Sequence, residues 1–204
     1  MKAWAPSEDR LTQLLSEFKK EGIEKFQEDV YFDTEQKDLF KHGVFIRIRN
    51  GKLAEIKYNP NKSDSSHLDC EETRFELPFT LSGISALRVF LEQLGISDKG
   101  IINQDDSLSV LKSFGLYTFV TISKKRTVYT KPGVEFCIDF VEDLGRFIEI
   151  ESVNQELSNS YQKWANNEGI KPIPVGYVEL YLRQHDFPTY LTGRYILDED
   201  RKQP

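Results

Sequence analysis

Four short segments set charged residues two positions apart, the spacing that puts side chains on one face of a β-strand. In GVFIRIRN (43–50), Arg47 and Arg49 share a row while Val44, Ile46 and Ile48 take the other. KLAEIKY (52–58) sets Glu55 and Lys57 against Ala54 and Ile56, and EETRFEL (71–77) sets Glu72, Arg74 and Glu76 against Phe75 and Leu77. RFIEIES (146–152) sets Glu149 and Glu151 against Ile148 and Ile150. Lys124 and Arg126 form a further cationic row, and Asp139 in VEFCIDFV faces away from Phe136 and Ile138. Guanidinium and ammonium groups take phosphate oxygens, and carboxylates hold a hard cation. A cationic set beside an acidic one therefore suits a metal-bound polyphosphate.

A half-buried sheet with a solvated face also alternates. Here, however, the rows hold paired Arg and paired Glu rather than mixed Lys, Thr and Ser, and amphipathic helices are present that could cover the apolar face from outside. That arrangement encloses the charges. Unpaired ions in a dry interior cost several kcal/mol apiece, so such a lumen must be wet, internally ion-paired or built for a highly charged ligand. The positioning elements follow from the period. Ser7 caps a helix over 7–20 with Leu11, Leu14, Leu15 and Phe18 on one face. Period-two segments predict strands at 26–33, 43–50, 52–59 and 71–79, with a tight hairpin at Asn50 and Gly51, and again at 117–130, 134–141 and 146–152. Residues 60–69 read as a polar loop. Helices are predicted at 82–94 closed by Gly95, at 105–114 closed by Gly115, at 154–168 with Leu157, Tyr161 and Trp164, and near 176–185. Residues 1–185 form one domain on this reading, and 186–204 a polar tail.

The 204 residues with 14 Phe suffice for one well-buried core, and a net charge of −6 argues against general nucleic-acid binding. No stretch approaches a membrane span and MKAWAPSEDR lacks the apolar core of a secretory signal, which predicts a cytoplasmic protein. Cys70 and Cys137 lie far apart without a CxxC partner and read as ordinary thiols, while His42, His67 and His185 read as surface or loop residues.

The ordered set QEDVYFD (27–33), GVFIRIRN, EIKY (55–58), ETRFEL (72–77), SKKR (123–126), CIDFVEDLGRFIEIE (137–151) and YVEL (177–180) resembles the CYTH superfamily, which includes class IV adenylate cyclases, thiamine triphosphatases and inorganic triphosphatases. The match runs from about residue 2 to 183, and its strongest piece is the acidic strand followed by LGRFIEIE. The resemblance implies an α+β fold built on an eight-stranded antiparallel barrel, a triphosphate tunnel with a charged lumen and covering helices. It also implies Mg²⁺ or Mn²⁺ as cofactor. Carried over by position, Arg47, Arg49, Lys57, Lys124 and Arg126 look like triphosphate ligands, with Lys2, Lys124 and Arg126 in catalytic roles. Glu149 and Glu151 look like metal ligands and Asp139 a further one, whereas Glu72, Arg74 and Glu76 look like lumen residues that pair with one another or touch substrate. Family members open on a strand carrying ExExK. Lys2 aligns with its lysine, and the two glutamates would fall upstream of Met1, so the first strand is expected to be truncated. A start upstream of Met1 and a metal site reduced by half both fit this pattern.

The resemblance implies a metal-dependent enzyme acting on a small-molecule triphosphate such as ATP, thiamine triphosphate or tripolyphosphate, with a homodimer as one form of assembly. Lys2 followed by AW, together with Tyr177, leans towards a nucleotide cyclase converting ATP into cyclic AMP and diphosphate. Thiamine or inorganic triphosphate hydrolysis is the alternative, and a module that binds nucleotide or polyphosphate without turnover is the alternative of another class.

Overall fold

The computed structural model describes residues 1–61, 70–100, 103, 105–152 and 155–201. Most of the predicted loop 60–69 lies outside them, as does His67. The period-two segments form one antiparallel sheet from β1 (Lys2–Trp4), β2 (Lys19–Asp33), β3 (Val44–Arg49), β4 (Leu53–Tyr58), β5 (Glu71–Glu76), β6 (Tyr117–Lys131), β7 (Val134–Val141) and β8 (Gly145–Ser152). Their order is β1-β8-β7-β6-β2-β3-β4-β5. No backbone ladder among the described residues joins the two edges, β1 and β5. The β3–β4 hairpin turns on Asn50 and Gly51, whose φ values of 50° and 66° are the positive pair that a two-residue turn of this kind demands.

The helices are α1 (Glu8–Leu15), α2 (Asp38–His42), α3 (Leu81–Glu92), α4 (Ser107–Ser113), α5 (Gln155–Asn167), α6 (Tyr177–His185) and α7 (Phe187–Tyr190). Two expectations need correction. The first helix stops at Leu15 instead of running to 20, because Lys19 to Glu21 pair with Val128 to Thr130 and extend β2 backwards past the expected start at 26. A ladder with a long partner outweighs five more residues of a short helix. The second correction is α2, which the sequence reading leaves as a connection. The Asp33 carboxylate accepts from the amides of Thr34, Leu39 and Phe40, satisfying the first turn of a helix that apolar periodicity is too short to reveal.

Each face of the sheet is covered separately. The outer rows of β3 and β4 (Ile46, Ile48, Ala54, Ile56) pack on Leu87, Leu91, Val110 and Leu111 of α3 and α4. Those of β7 and β8 (Phe136, Ile148, Ile150) pack with Leu11 of α1 and Ala165 of α5. The inner rows change character along their length. Beyond the charged positions, Tyr31, Phe45, Val120, Ile122, Val141 and Phe147 continue the same rows as apolar side chains, all towards one end of the sheet, where they cluster with Val175, Tyr177, Val178 and Leu182. That cluster closes the end of the lumen. Within the segment expected as a polar tail, residues 187–201 join it through the buried Tyr190 and Tyr195. The approach is close. A Cβ added at Gly43, where φ is 69°, would sit 2.7 Å from the Tyr195 ring. No helix among the described residues is long and apolar enough to cross a membrane.

Candidate functional site

All eight strands contribute to a single cavity of about 550 Å³. Of the residues expected at a site, Lys2, Arg47, Arg49, Lys57, Glu72, Arg74, Lys124, Arg126, Glu149 and Glu151 line it. Residues 173 and 175–179 close it from the α6 side. Two expected residues stand apart. Glu76 is exposed at the end of β5 and does not line the cavity, and Asp139 is fully buried behind the wall.

One wall is built from arginines. Arg49 donates from Nε and Nη2 to Asp29 at 2.7 and 2.9 Å, and Arg47 donates from Nε to Glu55 at 2.8 Å and from Nη1 to Asp29 at 3.2 Å. Arg74 reaches Glu55 and Glu72, and Lys57 pairs with Glu72 at 3.2 Å. Burial works against the charge of Asp29, yet Arg49 and Arg47 outweigh it and hold its carboxyl below the usual range. Burial likewise opposes the Arg47 cation, and Tyr31, Asp29 and Glu55 more than offset this, so it stays charged throughout the accessible pH range. Tyr31 itself is pushed up to about 12, chiefly by burial.

The opposite wall mixes lysines with acids. Asp139 accepts from Lys124 at 2.8 Å, from Arg126 Nε and Nη2 at 2.6 Å each, and from the Tyr177 hydroxyl at 2.9 Å. Arg126 also bridges to Glu149. Lys2 Nζ lies 3.9 Å from Glu149, donates to the Val175 carbonyl at 3.3 Å and sits 4.0 Å above the Tyr177 ring, with Lys124 Nζ 5.0 Å from the same ring. Desolvation is the leading influence on both lysines. It lowers Lys2 to about 8 despite Glu149, and it lowers Lys124 as well. Glu149 moves the other way: burial raises its pKa, but Lys124, Lys2 and Arg126 overcome that and leave it ionised far into the acid range.

Sequence reading passed over several residues here. Asp29 lies in the row of Tyr31 and meets its arginines only through strand pairing between β2 and β3, which no local pattern announces. Glu55 stood in a recognised row, but its burial between three arginines did not follow from that. Glu135 shares the alternation of Asp139 and pairs across the ladder with Glu151, a signal that was available. Glu179 is fully buried and lines the cavity from α6.

Glu135, Glu149 and Glu151 line the cavity from β7 and β8, and an all-oxygen donor set of this kind suits a hard divalent cation. Among the described residues no three acidic, His or Cys side chains converge closely enough to hold an ion by themselves. An ion there would complete its shell with phosphate oxygens and water, the usual habit of Mg²⁺.

Comparison with known proteins gives a consistent picture. A profile of the CYTH domain matches residues 2–164. A Methanocaldococcus jannaschii protein, provisionally named an adenylate cyclase, is 29% identical over 149 residues, covering 70% of this chain and 71% of that protein. The solved structure of the PH1819 protein from Pyrococcus horikoshii OT3 is similar with a TM-score of 0.60 at 22% identity, covering 90% of this chain and 97% of its own. That of HpAC1 from Hippeastrum, provisionally named an adenylyl cyclase and described as having a dominant triphosphatase activity, gives 0.58 at 18% identity over 97% and 96%. At such identities the two structures bear on architecture alone, whereas the profile follows the sequence itself from Lys2 in β1 to Trp164 in α5. On that ground the chain belongs to the CYTH domain family.

Proposed function

We propose that the lumen is a metal-assisted triphosphate site and that its reaction is cyclisation of ATP to cyclic AMP and diphosphate. The observation that carries this reading is the convergence of seven cationic side chains, Lys2, Arg47, Arg49, Lys57, Arg74, Lys124 and Arg126, on one cavity closed at its far end by apolar residues. One phosphate cannot use so many cations. In the reaction the ribose 3′-oxygen forms a bond to the α-phosphorus while the bond from that phosphorus to the bridging oxygen breaks, and diphosphate departs with the bridging oxygen. Lys2 Nζ, with its pKa lowered to about 8, is in part neutral at neutral pH and can accept the 3′-hydroxyl proton. Arg47, Arg49, Lys57 and Arg74 bind the polyphosphate, and Lys124 and Arg126 stabilise charge on the leaving diphosphate. Glu149, Glu151 and Glu135 would share Mg²⁺ or Mn²⁺ with the phosphate oxygens, and the ion would supply charge neutralisation on the phosphates. Asp139, behind the wall, holds Lys124 and Arg126 in place for their role on the leaving diphosphate.

Hydrolysis, with water in place of the 3′-hydroxyl, would use the same walls, because the charges lining them act on the phosphates whichever oxygen attacks, and it stands as the second reading. The deciding assay supplies ATP, thiamine triphosphate and tripolyphosphate with Mg²⁺ or Mn²⁺ and follows cyclic AMP and phosphate. Cyclic AMP from ATP supports the cyclase, phosphate release without it supports the hydrolase, and tight binding without turnover leaves a binding module.

A further inference from the structure

We infer that Asp29 and Glu55 are positioning residues of the lumen, two submerged carboxylates that aim the guanidinium groups of Arg47, Arg49 and Arg74 at a bound polyphosphate; this rests on the reading of the lumen as a triphosphate site. Both acids are almost fully buried, at 2% and 1% exposure, and neither lines the cavity, while all three arginines do. Every one of the three Nε–H groups is spent on this pair. Arg49 Nε donates to Asp29 at 2.7 Å, Arg47 Nε to Glu55 at 2.8 Å and Arg74 Nε to Glu55 at 3.0 Å.

A guanidinium carries five N–H donors in a fixed plane, so anchoring Nε fixes the direction in which the Nη end points. Arg47 Nη2 and Arg74 Nη1 are left outside the contacts described above, and Arg49 Nη1 lies 3.8 Å from Glu55, beyond hydrogen-bond reach; these ends carry the wall's capacity for phosphate. Three cations against two buried anions leave the wall with a surplus positive charge, yet the acids suppress the repulsion that would otherwise drive the arginines apart. A wall fixed before the ligand arrives avoids the ordering cost that flexible side chains incur on binding.

Removing a buried negative charge beside an anion site has two opposite consequences, and this makes the inference testable. Electrostatics alone predicts tighter anion binding in Asp29→Asn and Glu55→Gln, because each substitution makes the wall more positive. Loss of aim predicts weaker binding. The measurement is calorimetric titration of wild type and both variants with tripolyphosphate, alongside near-ultraviolet circular dichroism to verify the fold and, where turnover is found, KM and kcat. The expected result is a dissociation constant at least tenfold higher in both variants, with KM rising while kcat changes little. Affinity equal to or tighter than wild type in a folded variant overturns the inference. Should the substitutions prevent folding, the ¹⁵N spectrum of the wild-type arginine side chains decides. The Nε–H groups of Arg47, Arg49 and Arg74 should stay protected from solvent exchange when tripolyphosphate is added, and their loss of protection would mean that phosphate displaces the acids instead of using their aim. Failure of the wild-type chain to bind tripolyphosphate at all would count against the triphosphate site itself, a different outcome from either of these.

Discussion

Arg49→Ala should weaken triphosphate binding far more than Arg88→Ala. Arg49 lines the lumen with its Nε and Nη2 on Asp29, whereas Arg88 lies on α3 outside it, 40% exposed and paired with Asp98. Losing one charge-assisted contact to phosphate costs about 1.5–3 kcal/mol, equivalent to a Kd about 10- to 150-fold higher. An exposed ion pair such as Arg88–Asp98 contributes about 0–1 kcal/mol to stability and nothing to the lumen, so its Kd should stay within roughly twofold of wild type. Arg49→Ala also strips Asp29 of two hydrogen bonds. Breaking a buried pair outright costs about 3–5 kcal/mol, but Arg47 Nη1 remains 3.2 Å from Asp29, so a loss of about 2 kcal/mol is expected. For a chain of this size that is a fall in Tm of about 4–8 °C, small enough for titration of folded protein at 20 °C. Calorimetry with tripolyphosphate on both variants, with a thermal scan of each, is the assay. Similar affinity losses in the two would refute the assignment of Arg49 to the inner row.

Tripolyphosphate affinity should fall as pH rises from 7 to 9, because Lys2 titrates near 8 and a polyanion favours its protonated form; Lys2→Met should flatten this part of the profile. Binding at pH 8 should take up protons at Lys2, visible as a dependence of the calorimetric heat on buffer ionisation enthalpy. Glu149→Gln and Glu151→Gln should each raise the Mn²⁺ concentration needed for half-maximal stimulation of triphosphate binding, while Glu76→Gln, outside the lumen, should not. Gly43→Ala should destabilise the fold by about 2–4 kcal/mol, combining the left-handed backbone at φ 69° with a clash against Tyr195, and differential scanning calorimetry would show it.

What was legible in the sequence was whatever repeats locally. Arg47 and Arg49, Glu149 and Glu151, and Lys124 and Arg126 declare an inner face because alternation in a strand depends on neighbours two residues away. The apolar partners Ile46, Ile48, Ile148 and Ile150 declare the outer face by the same rule, and the cavity assembles from those rows as expected. What stayed hidden depends on distant partners. Asp29 gains its role from Arg49, twenty residues away on another strand, and Lys19 is a strand residue because Thr130 lies beside it. The polar appearance of residues 186–204 concealed Tyr190 and Tyr195, whose burial is decided by the apolar cluster at one end of the sheet, which composition cannot describe. Asp139 was legible as an inner residue, but its depth behind Lys124 and Arg126 was not.

The central claim is that the lumen recognises a triphosphate as such, and parallel calorimetric titration with ATP, tripolyphosphate and AMP tests it most directly. The cationic residues lining the cavity exceed what one phosphate can engage, and two further phosphates add at least two charge-assisted contacts of about 1.5 kcal/mol or more each. ATP and tripolyphosphate should therefore bind with similar Kd values and AMP on the order of 100-fold more weakly. Equal affinity for all three would contradict the account.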